Sequence, residues 1–148
     1  MIGRRLLALI VAALLMLPAA TWAQLNVVGH YDGGGASLDI GTFTEKGRRV
    51  GNMGISHKVS ITFQTSTIGT LKAIWRKAKK ERGNSFHFVG SFKETGASYN
   101  SLLTVAAGPG IQFTINDKPG TYTVVLSQRD YARFDADLAK VAAYVQAK

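Results

Sequence analysis

Polar and hydrophobic positions alternate along much of this chain, and in two places the alternation gives way to a helical period. In "HKVSITFQ", Val59, Ile61 and Phe63 share one face while Ser60, Thr62 and Gln64 share the other, the period of a half-buried strand. The same period recurs in "SFHFVGSF", where Phe86, Phe88 and Phe92 are expected inside and His87 outside, and in "SLLTVAA", with Leu103 and Val105 inside. "GIQFTIN" offers Ile111, Phe113 and Ile115, and "TYTVVLS" offers Tyr122, Val124 and Leu126. Strands are therefore predicted over 57–64, 85–92, 101–107, 111–116 and 121–127. "GPG" (108–110) and "NDKPG" (116–120) have the Gly and Pro content of tight turns.

Two segments switch to the helical period. Over 67–82, Ile68, Leu71, Ile74, Trp75 and Ala78 fall on one arc, with Thr67 placed to cap and Gly83 to stop the helix. Over 130–147, Asp130 can cap and Tyr131, Phe134, Leu138, Val141 and Val145 form the apolar stripe. The core 57–148 thus reads as an α+β domain of two layers. An antiparallel β-meander of about five strands would carry two helices on its greasy face. Ahead of it, residues 24–56 are glycine-rich. "LNVVGHY" (25–31) and "ASLDIGTFTE" (36–45) predict an N-terminal β-hairpin through "DGGG", and "KGRRVGNMG" reads as loop. No internal repeat and no low-complexity tail stands out.

Residues 1–23 read as a cleaved secretory signal peptide. Arg4 and Arg5 precede an apolar run from Leu6 to Leu17, Pro18 ends it, and "TWA" places small residues before Gln24. The run falls short of the ~20 apolar residues that span a bilayer, so no transmembrane anchor is expected after processing. The chain has no cysteine. Small secreted eukaryotic domains lean on disulfides, so a bacterial periplasmic or secreted protein is the expectation.

Without Arg4 and Arg5, 16 basic residues face 9 acidic ones, a net +7. The stretch "TIGTLKAIWRKAKKERGN" holds Lys72, Arg76, Lys77, Lys79, Lys80 and Arg82 against Glu81 alone, so most of the excess is local. Cations in the last turn of a helix complement its negative end. Lys72 and Arg76 stand further in. The pairs Lys72/Arg76 and Arg76/Lys80 put like charges four apart, which costs ~0.2–0.5 kcal/mol each. Lys72, Arg76, Lys79 and Lys80 are therefore the candidate residues for binding an acidic protein partner or an anionic envelope component. Nucleic acid is not expected, because the outward strand positions predict no aromatic platform.

Catalytic motifs are scarce. No serine sits in a G-x-S-x-G elbow, thiol chemistry is excluded, and Asp135 and Asp137 diverge around their helix. His30, Asp32, His57 and His87 are a dispersed set that could serve a hydrolase or a metal enzyme only if the fold brought them together; their spacing matches no compact ligand motif. No cofactor and no metal is implied. The leading expectation is an exported non-enzymatic binding protein, of the inhibitor or immunity type. The alternatives are a small-ligand or lipid carrier with a cavity between sheet and helices, and the dispersed His/Asp enzyme.

Overall fold

The computed structural model describes residues 24–94 and 101–148; the expected signal segment lies outside them. Strands β1 (Asn26–Gly33), β2 (Ala36–Glu45), β3 (Arg48–Ile55) and β4 (Val59–Phe63) form one antiparallel sheet in chain order. Helix α1 (Ile68–Lys80) follows. Strands β5 (His87–Lys93), β6 (Leu102–Ala107), β7 (Ile111–Asp117) and β8 (Gly120–Leu126) form a second sheet, again in chain order. A single 3-10 turn, Gln128–Asp130, leads into α2 (Tyr131–Gln146).

The α+β class stands, but two four-stranded meanders replace the expected five-stranded one with its leading hairpin. The missing element was β3, read as loop because of its glycines. One of those glycines, Gly51, marks close packing instead. A Cβ at Gly51 would lie 2.7 Å from Val141 Cγ1, so this position lets α2 settle onto the strand.

The expectation of two helices on one sheet face also changes. Helix α1 leaves the first sheet and packs on β5 and β6, whereas α2 leaves the second sheet and packs on β1, β2 and β3. Each helix therefore closes the other half's core. The helices meet at Trp75 and Phe134, whose rings are 4.5 Å apart, and Phe113 and Tyr31 pack against Phe134 at 5.6 and 5.5 Å. Phe63 and Phe92 link the sheets at 4.8 Å. Burying a large aromatic is worth ~1.5–3 kcal/mol, so this shared cluster ties the halves into one core. These aromatics fill the inner face.

Phe86 and Phe88 are not among them. They were expected inside, yet Phe88 is 64% exposed. The cause is a β-bulge between Phe88 and Gly90, where Val89 is the extra residue and turns inward. One added residue sends the preceding side chains to the opposite face. His87 is likewise displaced from the outer face and meets Glu81, at the end of α1, at 2.8 Å.

The two halves are repeats of one plan, which the sequence reading missed. β1 carries the same bulge, between Val27 and Gly29. Across the first sheet, Tyr31, Leu38, Ile55 and Val59 form one row, matched in the second by Phe92, Leu103, Ile115 and Tyr122. The row Gly29, Ile40, Met53, Ile61 is matched by Gly90, Val105, Phe113, Val124. The sequence echoes this at one spot: Val28-Gly29-x-Tyr31 followed by Gly35-Ala36-Ser37, and Val89-Gly90-x-Phe92 followed at the same spacing by Gly96-Ala97-Ser98.

Candidate functional site

Two groups of side chains stand apart from the packed core. The first is the outward face of α1. Ile68, Leu71, Trp75 and Ala78 are buried and Ile74 is half-buried, so the helix turns its remaining surface to solvent. Thr67 occupies the N-cap position without capping through its side chain, and the helix ends at Lys80 with Glu81 already extended. Lys79 is engaged: its ammonium donates to both oxygens of Asp135 at 2.7 Å, and Trp75 Nε1 donates to the same carboxylate at 2.5 Å. Burial works to raise the Asp135 pKa, and the hydrogen bonds from Lys79 and Trp75 overcome it and hold the group below its ordinary range. Lys77 lies 3.8 Å from Glu81 and donates to the Val89 carbonyl at 3.3 Å. Lys72, Arg76 and Lys80 form no ion pair among the described residues. Lys72 is half-buried, and Arg76 and Lys80 are exposed.

The second group lies on the outer face of the first sheet, at the end where β1, β2 and the β3–β4 turn come together. Asp39, on β2, is 6% exposed. His30 Nδ1 is 2.5 Å from its Oδ1, and His57 Nδ1 is 3.4 Å from its Oδ2. His30 Nε2 is also 3.3 Å from Asp32, so its ring is held between carboxylates on opposite edges. The hydrogen bond to Asp39 is the main cause of a His30 pKa above the ordinary value, partly opposed by burial and reinforced by the charges of Asp39 and Asp32. Arg133, on α2, donates to the His30 carbonyl at 3.0 Å.

His57 sits in a turn with unusual backbone. Ser56 and His57 both have positive φ, 52° and 55°, and Lys58 N–H closes the turn on the Ile55 carbonyl at 3.0 Å. Two positive φ values suit Asn-Gly, and each costs other residues roughly 1–2 kcal/mol. The turn is held by bonds to β2: Ser56 N–H donates to the Ser37 carbonyl at 2.9 Å, and Ser37 N–H to Ser56 Oγ at 3.3 Å.

Of the dispersed histidines and acids, the fold thus assembles His30, Asp32 and His57 and leaves His87 on the other sheet. The buried residue that gathers them, Asp39, was not singled out in the sequence; its strand alternation gave no warning, because an outward Asp ordinarily reads as solvated. Among the described residues, no three His, Cys, Asp or Glu side chains are disposed to hold a metal ion. The clasp on His30 explains this, since its two nitrogens serve different carboxylates on opposite sides of the ring.

No protein-family model matches the chain, and no curated protein matches it either. The geometry alone carries the functional reading.

Proposed function

We propose that this is an exported, non-enzymatic binding protein of the inhibitor or immunity type, which holds an acidic protein partner on the solvent face of α1 through Lys72, Arg76 and Lys80. The supporting observation is that these three cations, one turn apart, have no carboxylate partner among the described residues, while Lys79 beside them has one. Like charges so spaced weaken a helix, and an acidic partner relieves the repulsion. Lys79 contributes through its anchor on Asp135, which fixes α1 against α2, rather than as a free charge.

The export reading rests on the sequence of residues 1–23. No helix of the described residues is long and apolar enough to cross a membrane. An anionic envelope component is the second occupant that the same charges would suit. A carrier with a cavity between sheet and helices has less support, because Trp75, Phe113, Phe134 and Tyr31 pack against one another there.

The test is capture by the full chain from an envelope extract, followed by identification of the captured proteins. An acidic exported protein should be retained by wild type and lost with Lys72→Glu/Arg76→Glu/Lys80→Glu, with the variant's thermal melt unchanged. Equal capture by a folded triple variant overturns the proposal.

A further inference from the structure

The repeat supplies an internal control for the Asp39 cluster. The outer row that crosses the first sheet is His30, Asp39, Gly54 and Ser60. Its counterpart in the second sheet is Ser91, Thr104, Thr114 and Thr123. The inner rows of the two sheets match in kind, as a shared fold requires. The outer rows do not. The second half forms the same meander with small neutral side chains, so the fold has no need of a buried carboxylate at this place.

The difference also opens space. Where Thr114 and Thr123 bond to each other at 2.9 Å, the first sheet has Gly54 beside Ser60. A groove of about 380 Å³ runs there, with Asp39, Asn52 and Ser60 along it, Phe43 forming an apolar wall, and His57 and Lys58 at its rim. His30 satisfies one oxygen of the buried Asp39 at 2.5 Å, while the other has, among the described residues, only the 3.4 Å contact with His57. The positive φ at Ser56 and His57 adds strain at the same rim, and strain of this kind gathers at ligand sites.

The chemistry of the groove selects its ligand. Asp39 offers acceptors, and its long 3.4 Å contact with the exposed His57 can yield to a ligand hydroxyl. Asn52 donates to the Ile61 carbonyl at 3.3 Å and keeps its own carbonyl oxygen as an acceptor. Ser60 can donate or accept, and Lys58 donates. Asp39 and the nearby Asp117 oppose an anion, Lys58 opposes a cation, and the donors do not converge for a metal. A neutral ring bearing several hydroxyls, with an apolar face for Phe43, meets all these conditions.

We propose that the groove at Asp39 binds a neutral polyhydroxylated ligand, a sugar unit, and that only the first half of the repeat carries this site. It is separate from the basic face of α1, and its test does not depend on that reading. Saturation-transfer NMR on the full chain would use glucose, N-acetylglucosamine and the linear N-acetylglucosamine tetramer as probes. At least one probe should show transfer. A response several-fold stronger with the tetramer than with the monomer assigns a glycan chain as the source, and an equal response assigns the free sugar.

Two variants copy the second half: Asp39→Thr removes the acceptor, and Gly54→Thr fills the groove. At about pH 8.5, where the His30 contribution has declined, both should retain the wild-type melting temperature, and both should lose at least most of the transfer. Three results overturn the proposal: no transfer to any probe, transfer that persists in both folded variants, or an Asp39→Thr protein that melts well below wild type at that same pH. The last would make Asp39 a structural residue.

Discussion

The hydroxyl of Tyr31, on β1, donates to the carboxylate of Asp137, on α2, and both side chains are buried. This bond fastens the first strand of one half to the helix supplied by the other. Burial and then the bond to Asp137 push the Tyr31 hydroxyl far above its ordinary pKa, so it remains a donor across the accessible pH range. Arg133 lies over the Tyr31 ring at 4.2 Å, and Lys140 reaches Asp137 at 3.5 Å.

Tyr31→Phe should therefore leave a buried carboxylate short of a donor and destabilise the protein by about 1–3 kcal/mol. Urea unfolding at neutral pH measures it. The double variant Tyr31→Phe/Asp137→Leu should recover part of the loss, since removing both partners leaves nothing unsatisfied.

The two bulge glycines should differ in their tolerance of a methyl group. A Cβ at Gly29 would fall 2.3 Å from Asp137 Oδ2 and 2.9 Å from the Tyr31 ring. At Gly90 it would meet Cγ1 of the half-buried Ile74 at 3.0 Å, a tight contact but less close than those with Asp137 and the Tyr31 ring at Gly29. Gly29→Ala should cost about 1–3 kcal/mol or more and Gly90→Ala distinctly less. Paired thermal melts rank them, and equal costs would contradict the close approach at Gly29.

His30 sets a pH dependence with a definite sign. Its folded pKa lies above the ordinary 6.5, so its stabilising contribution is complete below that value and declines as pH rises through the folded pKa. The groups that face it are Asp39 from β2, Asp32 on its own strand and Arg133 from α2. The stability gap between wild type and His30→Asn should be larger at about pH 5.5 than at about pH 8.5. Chemical denaturation at both values tests the sign.

On α1, neighbouring lysines should behave differently. Lys79→Ala removes the partner of Asp135 and should cost up to ~1 kcal/mol, an amount limited by the solvent exposure of the pair. Lys80→Ala removes a like-charge neighbour of Arg76 and should leave stability within ~0.5 kcal/mol of wild type. The Lys79 effect should shrink at high salt, as measured by melts across a salt series.

The elements that could be read from the sequence are those whose pattern is local. The α1 stripe of Ile68, Leu71, Trp75 and Ala78 and the α2 stripe of Phe134, Leu138, Val141 and Val145 are buried as their period requires. Strand β3 was illegible because Gly51 answers to Val141, on a helix about ninety positions later in the chain. Phe86 and Phe88 were misassigned because one inserted residue, Val89, reverses the parity, and its only local mark is the glycine that follows it, Gly90. The repeat was hidden because a shared fold constrains only the inner rows, where many apolar residues are interchangeable. The Asp39 cluster was half legible. Its histidines could be named, but the carboxylate that unites them became distinct only when the strands stood side by side.

The exchange of helices between the halves has a consequence for any attempt to divide the protein. A fragment ending after α1 would hold a sheet with a bare apolar face and a helix with no surface to cover. Two copies of that fragment could lend each other what each lacks. The present chain is built like a dimer whose subunits are joined end to end, and the linker between α1 and β5 makes intramolecular an exchange that separate halves could make only in a concentration-dependent way.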